Sequence, residues 1–482
     1  MQPSRQGPGG AAGAAAGVSG TAPALPAAGI AARPAPAAQA ADLPARAAQP
    51  DAAAGTVRPL PLALYVHFPW CVRKCPYCDF NSYSLHGELP QEAYLAALER
   101  DLAAQAAHVK RAQAADAKQA ALVAQERQAQ PGAQGRPAAP AGAEHGLISV
   151  FLGGGTPSLF PPEAIGRVLA AARAAFGFAP GIEITLEANP GTIERGRFAE
   201  YAAAGVNRVS LGAQSFAQRQ LAALGRIHSG AETVRAAEEL HAAGLSNFNL
   251  DLMYGLPAQD RAGALADLRQ GLALAPSHLS HYQLTLEPGT PFAAKPPALP
   301  SEEECAAMLA ACEAALSGAG FGQYEVSAWA RPGHRSRHNL NYWTFGDYVG
   351  AGAGAHGKLT RPGGIVRTSQ TRDPRRYQAG VPMTTAPVGA ADLPFEFMMN
   401  ALRLPEGFEE GLYRAHTGLN WSTVADRMGT LTRRGLVAGD GGRWRPTPMG
   451  LRYLNDVLVS FLPQDVTSRT QPGKSLSSPL GV

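Results

Sequence analysis

The chain has 482 residues, of which 45% are hydrophobic and 17% are charged, and its formal net charge is +4. A charge so close to neutral does not favour a nucleic-acid partner, and without a run of about 20 uninterrupted apolar residues we expect no transmembrane helix. The N-terminus lacks the compact apolar segment of a secretory signal, so we predict a cytoplasmic protein.

Three segments fall outside the regular pattern of the chain. Residues 1–57 are largely Ala, Pro and Gly, and residues 464–482 are polar, so we predict that both are disordered tails. Residues 105–145 begin with high helix propensity and end rich in Pro and Gly, which predicts an insertion that lengthens the first helix and finishes in a loop. The rest is predicted to form a core at 58–294, an extension at 295–393 and a C-terminal domain at 394–463.

Six short apolar segments rich in β-formers recur along the chain, separated by stretches rich in Ala, Leu and Glu. This alternation predicts βαβ units and a parallel sheet, which is the α/β fold class. Six units are too few for a closed eight-stranded barrel. The predicted strands are 62–68, 147–154, 182–190, 207–216, 247–257 and 278–288.

The C-terminal domain is predicted to be mostly helical. Two helical stretches precede VAGDGGRWRPT (437–447), which has Gly at the turn of a predicted hairpin, and 448–461 is expected to close as a helix. Helices followed by a small hairpin resemble a winged-helix unit. Nucleic-acid binding through Arg433 and Arg434 is one interpretation, but the near-neutral charge favours packing against the core.

The five cysteines divide into a triplet and a pair. Cys71, Cys75 and Cys78 lie within eight residues, where a disulfide would be strained and would leave an odd thiol, so metal ligation is the better interpretation. Cys305 and Cys312 lie two turns apart on a predicted helix and are expected to pack as small apolar residues.

The triplet suits an iron–sulfur cluster better than zinc. A structural zinc site takes four ligands, usually as two separated pairs. His67, Asp79 or His86 could supply the fourth ligand, but the spacing is unusual for zinc. A [4Fe–4S] cluster held by three thiolates keeps one iron without a protein ligand, and a substrate or cofactor can bind there.

Polar and glycine residues follow the predicted strands at their carboxyl ends, where parallel α/β folds bind ligands. The glycines after the second strand are expected to allow close backbone approach and to offer N–H groups to a carboxylate. Each polar residue could instead be a solvated or structural group at a strand end. The set consists of Gly153, Gly154, Gly155, Thr156, Glu187, Gln214, Arg226 and Asp251.

The spacing Cys-x3-Cys-x2-Cys resembles that of the radical S-adenosylmethionine (SAM) superfamily. The resemblance implies a partial (β/α)6 barrel and a [4Fe–4S] cluster whose open iron is chelated by the amino and carboxylate groups of SAM. In that superfamily one electron from the cluster cleaves SAM to methionine and a 5′-deoxyadenosyl radical. The difficult chemistry belongs to the cofactor, and the protein supplies placement and a dry site.

Further motifs are similar to those of the oxygen-independent coproporphyrinogen III oxidase family, from about residue 62 to about residue 460. They are YVHFPWC, CDF, GGGTPS, EANP, GVNRVSLGAQSF, LGRIH and NLDLMYGLP. The resemblance implies that Cys71, Cys75 and Cys78 hold the cluster. It implies a SAM site made by Tyr65, Tyr77, Gly154, Gly155, Thr156, Glu187, Gln214, Arg226 and Asp251.

Two departures indicate the haem-chaperone branch of that family. The oxidases have a further cysteine where this chain has Phe80, and they have an ordered segment where residues 1–57 are Ala- and Pro-rich. The string His338-Asn339-Leu340-Asn341-Tyr342-Trp343 is a hallmark of the haem chaperones. Imidazole is the commonest haem ligand and aromatic rings suit a macrocycle, so haem contact by His338, Asn339, Tyr342 and Trp343 is one hypothesis.

Packing of the C-terminal domain against the barrel mouth is the alternative role for that string. His281, His334 and His356 are lesser candidates for the haem ligand. The favoured hypothesis for function is a haem chaperone that delivers haem to acceptors such as respiratory haem enzymes. The alternatives are oxidative decarboxylation of coproporphyrinogen III and another radical SAM reaction. Enzymatic activity is left open, and a low-potential electron donor is expected only if SAM is cleaved.

Overall fold

The computed structural model describes residues 60–128, 146–191, 196–361 and 363–463. Both predicted tails and the loop that ends the predicted insertion lie outside these residues. The first helix continues to Gln128, within the residues predicted to be an insertion. No helix in the described parts of the chain combines the length and the apolar composition needed to cross a membrane.

The described residues form seventeen strands. They are β1 Leu62–Phe68, β2 Trp70–Cys71, β3 Tyr83–Ser84, β4 Leu147–Gly154, β5 Phe178–Ala188, β6 Arg208–Gln214, β7 Phe248–Tyr254, β8 His278–Gln283, β9 Gly322–Gln323, β10 Ala328–Ala330, β11 Asp347–Ala351, β12 His356–Arg361, β13 Gly364–Ser369, β14 Thr384–Pro387, β15 Phe408–Glu409, β16 Val437–Asp440 and β17 Arg443–Pro446.

The same residues form fifteen α-helices. They are α1 Gln91–Gln128, α2 Pro162–Phe176, α3 Phe198–Ala203, α4 Gln218–Ala223, α5 Gly230–Ala242, α6 Arg261–Ala273, α7 Pro291–Ala294, α8 Glu302–Gly318, α9 Arg337–Trp343, α10 Pro374–Gln378, α11 Leu393–Ala401, α12 Glu410–Thr417, α13 Ala425–Arg433, α14 Pro448–Arg452 and α15 Leu454–Val459.

The six predicted strands are neighbours in one sheet, in the order β1-β4-β5-β6-β7-β8, and all are parallel. Helices connect them, and local signals begin these helices: Ser229 and Glu232 form a capping box at the start of α5, and Pro162 opens α2. The predicted α/β fold with a partial (β/α)6 barrel is therefore confirmed.

The sheet is larger than the sequence predicted. β11 pairs parallel with β1, and β12, β13 and β14 extend that edge with antiparallel pairs. Beyond β8, β10 and β9 are also antiparallel. The residues that follow the HNxxYW string are rich in glycine, and the first of them form strand β11. Gly352 follows it, and a Cβ there would collide with the backbone of His67.

One hydrophobic core fills the space between the sheet and its surrounding helices. Cys305 and Cys312 of α8 are buried in this core, as the sequence predicted for them. In this core the two thiols pack as small apolar side chains that fill space.

The C-terminal domain has its own core, centred on buried residues such as Phe397, Tyr413 and Met428. The predicted hairpin is confirmed: β16 pairs with β17 across Gly441 and Gly442, and β15 adds a third strand. The prediction of a single closing helix was wrong. It is broken at Tyr453, whose ψ of 38° interrupts the helical path between α14 and α15.

Candidate cofactor site at the carboxyl end of the strands

The three cysteines of the triplet lie on the loop that follows β1. Parallel pairing of β2 with β3 places Trp70 beside Tyr83 and Cys71 beside Ser84. The Lys74 ammonium donates to two carbonyl oxygens of the loop, that of Phe80 at 2.9 Å and that of Ser82 at 3.0 Å. The strand pairing and these lysine contacts hold the loop without using the cysteine thiols.

The thiols are half-buried and form no disulfide with one another. Burial raises the pKa of Cys71 to about 11 and also raises the pKa of Cys78. Ligation of iron requires the thiolate, which a nearby positive charge favours. The structure supplies one at Cys75, because Arg226 Nη1 lies 3.8 Å from its Sγ. The triplet thus has the donor chemistry that an iron–sulfur cluster needs.

His67 is committed to the protein rather than available to a metal. Its Nε2 donates to the carbonyl oxygen of Asn81 at 2.9 Å, so its Nδ1 is the acceptor of the Tyr65 hydroxyl, also at 2.9 Å. Burial lowers the pKa of His67 to about 4 and keeps the ring neutral. The zinc alternative that used His67 as a fourth ligand would require one of these bonds to break, because a ring nitrogen that binds zinc cannot also form a hydrogen bond.

Asn81 extends this connection to the segments that follow β11 and β13. Its Nδ2 donates to the carbonyl oxygens of Ala353 at 2.9 Å and Arg372 at 3.0 Å. The Tyr94 hydroxyl donates to the His67 carbonyl oxygen at 2.7 Å and accepts from Ala353 N at 3.0 Å. The cysteine loop is thereby fixed to both β1 and the glycine-rich turn after β11.

The glycines after β4 serve the protein's own packing. A Cβ on Gly154, whose φ is 113°, would collide with the His67 ring, and one on Gly155 would collide with the Trp70 carbonyl. The N–H groups that we expected to be free for a ligand carboxylate are already used. Gly154 N donates to Glu187 Oε2 at 2.9 Å, Gly155 N to Phe68 O at 2.7 Å and Thr156 N to Trp70 O at 2.8 Å.

A chain of polar contacts joins the loop after β4 to the cysteines. The Thr156 hydroxyl accepts from Asn189 Nδ2 at 2.9 Å, and Asn189 Oδ1 accepts from Arg226, which reaches Cys75. Arg226 Nη2 also donates to the Gly212 carbonyl oxygen at 2.6 Å. Sequence reasoning missed Asn189, although it stands two residues after Glu187 in the EANP motif.

Gln214 lies at the end of β6 in the left-handed region, with φ 67°. Its Oε1 accepts from the Tyr282 hydroxyl of β8 at 2.8 Å. A Cβ on Gly212 would lie 3.2 Å from Gln214 Nε2 and 3.4 Å from Arg226 Nη2, so these two side chains flank the same glycine. Tyr282 is a second residue that the sequence analysis missed, because it carries no motif of its own.

Glu187 of β5 and Asp251 of β7 are two neighbouring carboxyl groups. Burial raises the pKa of Glu187 to about 8, and the neighbouring charge of Asp251 adds to the effect. Burial also raises the pKa of Asp251, although Asn249 Nδ2 donates to it at 2.8 Å and Ser210 Oγ at 3.2 Å. Two desolvated acids would favour a cationic ligand, since a positive charge stabilises their ionised form.

Tyr65 lies on β1, and Tyr77 lies within the cysteine loop between Cys75 and Cys78. The Tyr65 ring is close to that of Phe151, with centroids 6.3 Å apart, and burial raises the pKa of its hydroxyl. Tyr77 packs near Phe292, with centroids 6.3 Å apart, and its pKa is raised by burial while Arg226 opposes the shift.

The HNxxYW string lies on the amino-terminal side of the cofactor residues, and the Phe151 ring separates it from Tyr65: the Phe151 centroid is 5.0 Å from that of His338 and 6.3 Å from that of Tyr65. The string forms α9, where His338 Nδ1 lies 2.9 Å from Ser149 Oγ and His338 N donates to Glu183 at 3.0 Å. His338 Nε2 lies 3.2 Å from the Tyr342 hydroxyl, and the side chain is 1% exposed. Burial lowers its pKa to about 3.

The other members of the string also pack. Trp343 is 9% exposed and lies under the Arg403 guanidinium, 4.5 Å from the ring centroid. Asn339 is half-buried at the start of α9, where its N donates to Ser336 Oγ at 3.3 Å. The string therefore joins the C-terminal domain to the barrel, as the alternative interpretation held, but at the amino end and not at the mouth.

The lesser haem candidates are scattered. His281 is buried against Tyr254, with ring centroids 4.9 Å apart and a pKa lowered to about 4 by burial. His334 is exposed and lies 3.4 Å from Asn247. His356 is exposed at the start of β12.

Comparison with known proteins agrees with this architecture. Residues 138–268 match the model of the radical SAM superfamily, and residues 389–453 match that of the HemN C-terminal domain. A protein of Escherichia coli strain K12 named heme chaperone HemW is 44% identical over 404 residues, which cover 83% of this chain and 98% of that protein. The chain belongs to the HemW family of radical SAM proteins.

More distant relatives match over a similar span. A heme chaperone HemW of Mycobacterium tuberculosis strain H37Rv is 34% identical, over 83% of this chain and 95% of its own. The bovine mitochondrial protein called radical S-adenosyl methionine domain-containing protein 1 is 33% identical, over 86% and 90%. The solved structure of E. coli coproporphyrinogen III oxidase HemN superposes with a TM-score of 0.65 at 21% identity, covering 84% of this chain and 90% of that one, which shows a shared fold.

Membership of the radical SAM superfamily implies a [4Fe–4S] cluster and SAM. The residues present fit both groups. The cysteine loop offers three thiols, with the Arg226 guanidinium beside that of Cys75. Glu187 and Asp251 add two desolvated carboxyl groups.

Proposed function

We propose that this protein binds haem together with a [4Fe–4S] cluster and exchangeable SAM, and that it transfers haem to acceptor proteins. The observation that carries the proposal is the 44% identity to a protein named heme chaperone HemW, over 98% of that protein's length. The replacement of the oxidases' further cysteine by Phe80, stated above as a departure, points in the same direction.

In this proposal Cys71, Cys75 and Cys78 would hold the cluster, and SAM would bind beside it. When bound, the reduced cluster supplies the electron that radical SAM chemistry requires. The chain's own contribution is electrostatic and steric. Arg226 stabilises the thiolate of Cys75, and Lys74 holds the loop closed.

The remainder of the SAM site is proposed to be the cleft of Tyr65, Tyr77, Gly154, Gly155, Thr156, Glu187, Gln214, Arg226 and Asp251. Glu187 and Asp251 favour the cationic groups of SAM, because each is desolvated and gains from a positive neighbour. The Thr156–Asn189–Arg226 contacts couple this cleft to the cysteine loop. Because the residues of the SAM site are retained, the oxidative decarboxylation of coproporphyrinogen III is the second candidate function.

We propose a cytoplasmic location, with respiratory haem enzymes among the acceptors. A low-potential electron donor is a partner only if SAM is cleaved. Haem contact by His338, Asn339, Tyr342 and Trp343 stays a prediction. It would require α9 to open, because both ring nitrogens of His338 lie at hydrogen-bond distance from protein hydroxyls in this structure.

The test is anaerobic reconstitution of the cluster in the full chain, followed by two assays on the same preparation. One titrates haemin by absorbance and then adds apo-acceptor to measure transfer. The other supplies coproporphyrinogen III, SAM and reductant and measures protoporphyrinogen formation. Stable haem binding with transfer and no turnover is expected. Turnover without stable haem binding would establish the oxidase and refute the chaperone.

A further inference from the structure

The segment that contains the cysteine loop carries a concentration of exposed apolar side chains. Among the described residues nine large hydrophobic side chains are exposed by more than a third, and three lie within residues 72–83: Val72 at 41%, Phe80 at 37% and Tyr83 at 39%. Exposed apolar residues scattered singly are normal, whereas a local group of this kind marks an interaction site.

These side chains are held on a fixed backbone. The Tyr83 hydroxyl donates to Asn81 Oδ1 and to the Arg372 carbonyl oxygen, both at 3.2 Å, and Tyr83 N donates to Pro69 O at 2.8 Å. The carbonyl of Phe80 is fixed by Lys74. A pre-ordered apolar surface loses little conformational entropy when a ligand covers it.

Two exposed arginines accompany these residues. Arg73 lies in the loop, where Lys74 is balanced by the nearby acids Asp79 and Glu88. Arg372 contacts the loop, with its Nε 3.4 Å from Asn81 Oδ1. Apolar side chains beside two guanidinium groups complement a flat apolar molecule that carries two carboxylates.

An exposed imidazole follows the same segment of chain. Leu85 N donates to Cys71 O at 2.8 Å, and His86 is the next residue after this contact. His86 is exposed. By contrast, His67, His278 and His338 are buried, with both ring nitrogens at hydrogen-bond distance from protein groups. Neutral imidazole is a common axial ligand of haem iron.

We propose that haem docks on this surface, the cysteine-loop face, which consists of Val72, Phe80, Tyr83 and His86 with Arg73 and Arg372 at its rim. The apolar side chains contact the macrocycle, the two arginines pair with the propionates, and His86 binds the iron. The proposal rests on the haem-binding function proposed above and locates that function beside the cluster, away from the HNxxYW string.

The test uses the full chain with its cluster reconstituted and haemin as the probe. We expect Phe80→Ala with Tyr83→Ala to weaken haemin binding at least about tenfold, since two rings lose apolar contact. His86→Ala should shift the Soret band. The matched control is Met449→Ala with Tyr453→Ala, which removes two side chains of similar exposure, 46% and 48%, from the C-terminal domain; its affinity should equal that of the parent chain.

The outcomes are distinguishable. If the parent chain binds no haemin, the proposed function itself fails and the docking face fails with it. If the parent chain binds haemin and both the double variant and His86→Ala bind it with unchanged affinity and spectrum, only the docking face is refuted. If the double variant keeps its haem affinity but is no longer reduced by a low-potential protein donor, the face belongs to that donor and the proposal is overturned. His86→Ala keeps the test decisive should the double variant lose its cluster.

Discussion

The two ends of the barrel differ in whether their polar side chains are available to a ligand or are engaged in packing. At the carboxyl end, three thiols are half-buried, two carboxyl groups have raised pKa values and aromatic side chains face solvent. At the amino end, α9 closes the barrel, and Glu183 accepts from the backbone N–H groups of Arg337 and His338, both at 3.0 Å. One end is arranged for a ligand and the other for packing.

Buried charge is treated differently at the two ends as well. Near the amino end, Lys358 is 1% exposed, and its ammonium donates to Asp347 Oδ1 at 2.7 Å and to Thr360 Oγ1 at 3.2 Å. At the carboxyl end, Glu187 faces a second acid instead of a cation. A buried group without an opposite charge is costly unless a ligand supplies one, which is how a functional site differs from a structural one.

The largest expected effect is loss of the cluster when a thiol of the loop is removed. Cys75→Ser should abolish the visible iron–sulfur absorption after reconstitution, because the triplet then has two thiolates and loses the one that Arg226 approaches. The matched control is Cys305→Ser, a cysteine buried in α8. It should keep the absorption at a lower thermal stability. A full cluster in Cys75→Ser would refute the ligand set.

The next effect separates packing from haem binding at the amino end. His338→Ala removes a fully buried ring and leaves the hydroxyls of Ser149 and Tyr342 without it, so the free energy of unfolding should fall by roughly 3 kcal/mol. Denaturant unfolding measures this. His356→Ala, at an exposed position, should change it by less than about 0.5 kcal/mol.

Haemin titration of the same two variants sharpens the comparison. Both should show the affinity and Soret band of the parent chain, because neither side chain belongs to the cysteine-loop face. A Soret shift confined to His338→Ala would instead support haem contact by the HNxxYW string. It would mean that α9 opens when haem binds.

The smallest effect concerns the pH dependence of stability at the carboxyl end. The pKa of Glu187 is about 8 in the folded chain and near 4.5 ordinarily, so between these values the folded state holds an extra proton. The contribution of this group to the free energy of unfolding is therefore lost as pH rises from 4.5 to 8. Glu187→Gln should remove that loss, and the variant should be more stable than the parent by about 1–2 kcal/mol at pH 8 and similar at pH 5.

Thermal or denaturant unfolding at several pH values is the measurement. Glu238→Gln, on the exposed face of α5, serves as the control and should follow the parent profile. Parallel profiles for Glu187→Gln and the parent chain would show that the carboxyl is ionised in the folded state, contrary to the desolvation argument.

Local pattern was sufficient for the strands that carry the site. β1 and β4 span the predicted residues, and β6, β7 and β8 begin within one residue of the predicted starts. β5 begins four residues earlier than predicted, because Phe178–Gly181 adds an irregular stretch before the apolar run. Alternating β-rich and helical segments are readable because the backbone period of each element is set by its own residues.

The sequence by itself determined the cysteine triplet, the positions of the parallel strands and the residues at their carboxyl ends, since these depend on spacing and local periodicity. Only the tertiary structure decided which end of the barrel receives the HNxxYW string. That choice follows from the parallel pairing of Leu62 with Asp347, a contact between residues distant in sequence. The structure also decided that the N–H groups of Gly154, Gly155 and Thr156 bond within the protein, because their partners come from other strands and loops.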